Sequence, residues 1–203
     1  MAAKSIMESI MSNLEVNEYK LYLSGSENFR KDVATIKGYK AHRPAKPVYY
    51  EEVRDYLFKF WQAELVDGME ADDKLGIEQC LFQVTEDGYF EWNKTVICSI
   101  DKDLKMIPGW HYNFVTNEKV FVDETEAWRN FYRQCITGDA TDNIPGLFHI
   151  TGRKATKAVL SKLDNITSVT GLSSYIAELY KGHEQELEEI AELLWILREP
   201  RDV

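Results

Sequence analysis

The chain has 203 residues, of which 44% are hydrophobic and 12% aromatic, and its formal net charge is −10 at pH 7. This composition excludes an intrinsically disordered chain, and no apolar run approaches the roughly 18 residues that a membrane-spanning helix needs. The three cysteines, Cys80, Cys98 and Cys135, form no CxxC pair, which argues against a disulfide framework or a zinc site and predicts a protein of a reducing cytoplasm.

The pattern of apolar residues in the first half of the chain predicts helices that alternate with short strands. In chain order, apolar spacing and breakers indicate a helix over 2–14, a strand over 19–24, a polar loop over 26–47, a helix over 48–62, a strand over 63–66 and a helix over 71–83. The run TVICSI over 95–100 is continuously apolar, which is typical of a buried parallel strand.

The pattern of apolar and capping residues in the rest of the chain predicts one hairpin followed by helices. In chain order, the pattern indicates a hairpin over 111–122, a helix to 137 behind an Asp123–Glu126 capping box, a helix from a Thr151 cap to 163, and a helix over 184–197. Together these elements predict an α/β fold with a parallel-sheet core over 1–122 and a helical region over 123–203.

The distribution of charge says more about function than the net charge does. Six basic residues between positions 28 and 49 face a single acid, Asp32, and four more lie between positions 149 and 162 without any acid. Two basic segments can contact phosphate even in an acidic protein, because phosphate binding depends on local Lys and Arg.

Three acidic clusters lie where strands or helices are predicted to end. They are Glu70, Asp72 and Asp73 in GMEADDKLG, Asp101 and Asp103 in SIDKD, and Asp139 and Asp142 in GDATDNIPG. Each alone has an ordinary interpretation as helix-start charge, a cap or an Asx turn. Together they predict a site for Mg²⁺ or Mn²⁺, where two ions about 4 Å apart can serve phosphodiester hydrolysis.

These three motifs, with NFRKD and YKAHR ahead of them, resemble the 5′ nuclease family. That family includes the 5′ nuclease domain of bacterial DNA polymerase, flap endonucleases and phage 5′→3′ exonucleases, and the phage enzymes are the most similar. The resemblance implies a PIN-like α/β core followed by a helix–turn–helix element over 143–157 of the helix–three-turn–helix type.

The resemblance also implies roles for individual residues. The seven acids would be metal ligands, and Lys40 and Arg43 would lie nearest the scissile phosphate as catalytic residues. The implied DNA contacts are Arg30, Lys31, Tyr39, Gly152, Arg153, Lys154 and Lys157. A K⁺ ion at the helix–turn–helix is a further implied cofactor.

The chain departs from the family pattern in three places. Family members open with a strand that ends in a metal-binding Asp, whereas the first strand candidate here corresponds to their second. Gly25 or Ser26 stands where many members have another Asp, and the segment 148–151 replaces a glycine-rich hairpin. We therefore expect one of three explanations: a separate N-terminal polypeptide that supplies the first strand, a gene start that is misplaced or split, or a remaining sheet that has closed up without it.

Three functions follow as hypotheses. The first is a metal-dependent 5′→3′ exonuclease or flap endonuclease acting on DNA in the cytoplasm, which for a phage protein is that of the host. The second is a non-catalytic DNA-binding remnant or subunit that needs the N-terminal piece. The third, an RNase of the related PIN-like class, is disfavoured by the DNA-gripping helical element.

Overall fold

The structure is a computed structural model that describes residues 2–84, 90–92 and 94–200. Residues 1 and 201–203, which the sequence analysis assigned to the two regions, lie outside the described residues. In the part of the chain that is described, no helix has the length and apolar character needed to cross a membrane.

The N-terminal half contains the predicted alternation of helices and short strands. Its elements are α1 (Ala2–Leu14), β1 (Tyr22–Ser24), α2 (Arg30–Val33), α3 (Tyr50–Phe60), β2 (Glu64–Val66), α4 (Ala71–Cys80), β3 (Phe82–Val84) and β4 (Phe90–Trp92). The helix predicted over 71–83 is too long. It ends at Cys80 because Leu81 is extended, with φ −62° and ψ 129°, and the following residues pair with β4 as an antiparallel strand.

The C-terminal half begins with a strand and a hairpin and continues as helices. Its elements are β5 (Val96–Cys98), a 3₁₀ helix (Asp103–Met106), β6 (Gly109–Asn113), β7 (Glu118–Val122), α5 (Glu124–Thr137), α6 (Leu147–Thr151), α7 (Lys157–Asp164), α8 (Val169–Leu179) and α9 (Glu184–Leu194). The hairpin and α5 are confirmed, and the Asp123 side chain accepts a hydrogen bond from the backbone N–H of Glu126.

Two helix boundaries in this half differ from the prediction. Thr151 does not begin a helix but ends α6, and its hydroxyl donates to the carbonyl of Leu147. The N-cap of α7 is Thr156, whose side chain accepts from the backbone N–H of Val159. Threonine is a favourable N-cap residue at either position. The turn between α6 and α7 places Thr156, and not Thr151, at the start of the helix. The helix predicted over 184–197 ends at Leu194, and α8 was not predicted.

Parallel pairing of short strands confirms the α/β class. β1 pairs in parallel with β2, and β5 pairs in parallel with β6, which continues through an antiparallel hairpin to β7. Helix α4 contacts both β1 and β5. Among the strands that the structure describes, β1 pairs with β2 alone and β5 with β6 alone, so each retains one edge without a strand partner.

One hydrophobic core takes residues from both predicted regions. Ile97 and Ile107 from the sheet side pack in the same cluster as Phe131, Ile176 and Ile190 from the helical side. The core therefore includes residues from both sides of residue 122. The division of the chain into two regions at that residue stays a prediction. Helices α1 and α3 contribute no buried residue.

Candidate metal centre

The first two acidic clusters follow the carboxyl ends of parallel strands, as predicted. Glu70 precedes the first turn of α4, four residues beyond β2, and Asp72 lies within that turn. Asp101 and Asp103 follow β5, and the carboxylate of Asp101 accepts from the backbone N–H of Asp103 at 2.9 Å. In an α/β sheet this edge is where ligand sites form, because successive strand ends and helix starts meet there.

The third cluster is held in a tight turn after α5. The backbones of Asp139 and Ile144 exchange two hydrogen bonds of 3.0 and 2.7 Å. The Asp139 carboxylate accepts from the backbone N–H of Thr141 at 2.7 Å and from that of Asp142 at 3.3 Å. The turn fixes the directions of Asp139 and Asp142, and only the three-dimensional arrangement brings them near the other acids.

Electrostatic repulsion links acids of the three clusters. Burial, the largest cause, and the charges of Glu70 and Asp101 together raise the pKa of Asp72 to about 6. Burial and then the charges of Asp101 and Asp139 together raise the pKa of Asp103 to about 6. A bound cation would relieve the part of these shifts that comes from neighbouring carboxylates.

Two basic residues from the segment before α3 lie between the first and third clusters. The Lys40 ammonium forms an ion pair with the Glu70 carboxylate and lies 3.5 Å from Oδ2 of Asp142. Arg43 Nη2 donates to Oδ1 of Asp142 at 2.6 Å. The sequence analysis predicted both as catalytic residues, and the structure brings both to the acidic cluster.

Tyr39 contacts the same two acids. Its hydroxyl lies 3.2 Å from Oε2 of Glu70 and 3.1 Å from Oδ2 of Asp142. Burial and the charges of these two carboxylates hold the pKa of Tyr39 far above its ordinary value. Tyr39 is therefore a neutral hydrogen-bond donor to the cluster, in addition to the DNA contact that the sequence predicted for it.

Hydrogen bonds join the loop that carries Lys40 to the turn that carries Asp142, and each contains a residue with a left-handed backbone conformation. Lys40 and Asn143 both adopt left-handed conformations, with φ of 56° and 61°, which cost free energy in residues other than glycine. The backbone N–H of Lys40 donates to the carbonyl of Asp142 at 2.9 Å, and Asn143 Nδ2 donates to the carbonyl of Gly38 at 2.9 Å. These bonds hold Lys40 beside the acidic turn.

Asp73 and Arg30 require a correction. The sequence analysis made Asp73 a metal ligand and Arg30 a DNA contact, but their exposed fractions are 0% and 2%. Arg30 Nη1 and Nη2 donate to the two Asp73 oxygens at 2.6 and 2.7 Å. The same oxygens accept from the backbone N–H groups of Glu70 at 2.9 Å and Leu197 at 3.0 Å. With its lone pairs filled and no solvent access, Asp73 is structural, and so is Arg30.

The six other predicted ligands have the chemistry that suits a divalent cation, but the distances between them do not suit one. Carboxylates are hard oxygen donors, which suit Mg²⁺ and Mn²⁺, and a bound cation would offset the repulsion from neighbouring carboxylates that helps to raise the pKa of Asp72 and Asp103. Within residues 2–84, 90–92 and 94–200, no three acidic, imidazole or thiol side chains are close enough to ligate one ion. Ligation of one ion would therefore need these carboxylates to lie closer together than they do in this structure, and Lys40 and Arg43 already pair with two of them.

The predicted DNA contacts in the helical region are not equivalent. Gly152 ends α6 in a left-handed conformation, with φ 74°. Arg153 Nη1 donates to the carbonyls of Glu178 and Leu179 at 3.1 and 3.0 Å, where α8 ends. Lys154 and Lys157 are exposed. Near the first acidic cluster, Lys31 is also exposed and donates to the carbonyl of Ser26 at 2.8 Å.

Two features of the site were missed in the sequence. The last turn of α9 and the residue after it bind the buried pair, because Arg30 also donates to the carbonyls of Leu193 and Trp195, at 2.9 and 2.5 Å. Asp67, one residue beyond β2, is exposed and accepts from the backbone N–H of Ser26 at 3.2 Å. Its position in VDGMEADD, directly after a strand, was a signal that could have singled it out.

Comparison with known proteins agrees with these observations. The chain is 30% identical over 158 residues to the exonuclease of Escherichia phage T7 and, over the same length, to the exodeoxyribonuclease of Enterobacteria phage T3. Each match covers 71% of this chain and 50% of the relative, so the chain spans about half the length of these curated relatives. No protein-family model matches.

A solved structure shares the fold. The T5 D15 protein, co-crystallised with metal ions, superposes with a TM-score of 0.63 over 94% of this chain and 80% of its own, at 16% sequence identity. The relatives place the chain in the phage-type 5′ nuclease family, as its motifs predicted.

Proposed function

We propose that this chain hydrolyses DNA phosphodiester bonds as a metal-dependent nuclease of the 5′→3′ exonuclease and flap endonuclease type. The observation that carries the proposal is the convergence of three acidic clusters, from distant parts of the sequence, beside Lys40 and Arg43. The names of the phage relatives support an exonuclease, and DNA is the substrate that one of those names states.

Six carboxylates are the proposed metal ligands, without Asp73. They are Glu70, Asp72, Asp101, Asp103, Asp139 and Asp142. Two bound Mg²⁺ or Mn²⁺ ions would supply an activated water and stabilise the leaving oxygen of the phosphodiester. Co-crystallisation of the T5 D15 protein, which shares the fold, with metal ions supports this assignment.

Lys40 and Arg43 are the proposed catalytic residues of the chain itself. Both are cations that already face the carboxylate cluster, so a scissile phosphate at that cluster would lie within their reach. Fixed positive groups stabilise the negative charge that develops on phosphate in the transition state. The Tyr39 hydroxyl lies between Glu70 and Asp142 and donates its single hydrogen bond to one of them at a time, which helps to position both.

The segment containing α6 and α7 is proposed as the helix–turn–helix that grips duplex DNA. Lys154 and Lys157 are exposed at the start of α7, where backbone N–H groups also favour a phosphate. Arg153 donates to two carbonyl groups of the protein, so we assign phosphate contact chiefly to the two lysines. The turn at Gly152 is the proposed place for a K⁺ ion, and Lys31 is the proposed contact near the strand ends.

The direct test is cleavage of a 5′-labelled flap duplex by the purified chain in Mg²⁺ and in Mn²⁺. The matched control is the double variant Asp101→Asn, Asp103→Asn, which keeps side-chain size but removes two charges. Cleavage by the chain that the double variant lacks supports the proposal. Equal cleavage by both proteins in either metal contradicts it.

A second candidate, a non-catalytic DNA-binding subunit completed by a separate N-terminal polypeptide, is favoured by the strand pairing. β1 and β5 each have one edge without a strand partner among the described strands, while α4 contacts both. A strand added between them would satisfy both edges. DNA binding without cleavage, converted to cleavage by a synthetic β-strand peptide ending in Asp, would support this candidate over the first.

A further inference from the structure

A cavity among the C-terminal helices has no role in the proposed hydrolysis. Its volume is about 560 Å³, and helices α5, α8 and α9 form its walls together with Phe29 and Leu197. This volume lies within the range of roughly 300–1,000 Å³ that binding pockets occupy. The cavity is therefore large enough to receive several apolar side chains or one small molecule.

The floor of the cavity is aromatic and pre-formed. The rings of Trp128 and Trp195 are 4.8 Å apart, Phe131 meets Trp195 edge-on at 5.0 Å, and Trp128 stacks with Tyr132 at 5.5 Å. Arg198, which does not line the cavity, lies over both tryptophans at 5.2 and 4.6 Å. A packed aromatic floor gives an apolar partner contact area at little entropic cost.

The rim of the cavity carries negative charge on one side. Glu184, Glu188 and Glu192 line it at four-residue spacing along α9, so they lie on one face of the helix over about 12 Å. The lining residues include no Lys or Arg in the part of the chain that the structure describes. An acidic rim disfavours nucleic acid and favours an occupant that combines apolar side chains with positive charge.

We infer that this cavity binds an amphipathic, basic helical segment of a partner protein. Large apolar side chains of that segment enter the aromatic floor, and its Lys and Arg residues pair with the glutamates of α9. In helix-in-groove recognition, the bound helix carries apolar anchors at three- and four-residue spacing. Basic residues at the same spacing on that helix would face the glutamates, which repeat every four residues along α9. None of the residues proposed above to contact phosphate lines the cavity, so the partner and the DNA would not compete for the same residues.

The probe is a fluorescein-labelled synthetic peptide of about 15 residues, long enough to form a helix, with leucines on one face and lysines on the other. Its matched control replaces every lysine with glutamate. The protein variants are Glu188→Lys, which reverses one rim charge, and Ala177→Trp, which fills the cavity from an exposed position on its wall. Glu118→Lys makes the same charge change at an exposed position outside the cavity.

Fluorescence anisotropy should show saturable binding of the lysine peptide and none of the glutamate peptide. We expect Glu188→Lys to weaken binding by about threefold to tenfold and Ala177→Trp by about tenfold or more, with Glu118→Lys unchanged. Thermal melting of each variant identifies any that is unfolded.

Three results would overturn the inference. The first is equal affinity for both peptides, and the second is binding that Ala177→Trp leaves intact. The third is concentration-dependent self-association that Ala177→Trp abolishes, which would make a second copy of the chain the occupant. None of these measurements requires nuclease activity, so the inference and the proposed function can fail separately.

Discussion

Arg30 and Asp73 form a two-point ion pair inside the protein, with nitrogen–oxygen distances of 2.6 and 2.7 Å and almost no solvent exposure. The pair joins α2, the first turn of α4, and the end of α9 with the segment after it. Asp73 also accepts from Leu197, and Arg30 donates to Leu193 and Trp195. It therefore fixes the start of α4, which carries Glu70 and Asp72.

The first prediction concerns this pair. Asp73→Asn leaves the Arg30 charge buried without its counter-ion, so we expect the free energy of unfolding to fall by about 3–5 kcal/mol. Urea unfolding followed by circular dichroism measures it. Asp101→Asn, at an exposed carboxylate, is the control and should change stability by no more than about 0.5 kcal/mol. Unchanged stability with lost metal affinity would restore the ligand role predicted for Asp73.

The second prediction follows from the raised pKa of Asp72. The folded state holds the Asp72 proton up to about pH 6, whereas the ordinary pKa is 3.8. The folded state therefore binds more protons in that window, and the contribution of Asp72 to stability falls as the pH rises through it. In a chelator at pH 7.5, we expect Asp72→Asn to be more stable than the native chain by about 1–2 kcal/mol.

The measurement for Asp72 is the melting temperature of both proteins across the pH range. The stability difference should disappear below about pH 4, where the native carboxyl becomes protonated in both states. A difference that is the same at low pH and at pH 7.5 would show that its cause is not ionisation.

The third prediction separates metal binding from cleavage at Lys40. Its ammonium group pairs with Glu70 and lies near Asp142, two of the proposed metal ligands, so it competes with a cation there. We expect Lys40→Met to bind Mn²⁺ at least as tightly as the native chain in calorimetry. Its single-turnover cleavage of DNA should be slower by roughly 10²-fold, the usual effect of removing a group that stabilises transition-state charge. Lost Mn²⁺ binding would contradict the competition.

The fourth prediction concerns the proposed DNA grip. Replacing Lys154 and Lys157 with alanine should reduce the slope of log affinity against log salt by roughly one per lysine. Binding to a labelled duplex at several salt concentrations measures the slope. Arg153→Ala, in contrast, removes contacts at the end of α8 and should lower the melting temperature. If the double lysine variant kept the same slope as the native chain, the duplex would contact a part of the protein other than α7.

Local sequence patterns were sufficient for several elements. Apolar spacing located α1 and the hairpin of β6 and β7, because each is set by its own periodicity and turn. Asp123 marked the start of α5, since its cap is a hydrogen bond between residues three positions apart. The cap predicted at Thr151 was wrong, because the turn after α6 makes Thr156 the N-cap of α7.

The sequence by itself determined which residues carry the charge and where elements such as α1, α5 and the β6–β7 hairpin lie, because both depend on residue type and short-range spacing. Only the tertiary structure decided how two adjacent, chemically identical carboxylates are used. Consecutive helical positions point about 100° apart. Asp72 therefore faces the acidic cluster, while Asp73 turns into the core and meets Arg30, which is 43 positions away in the chain.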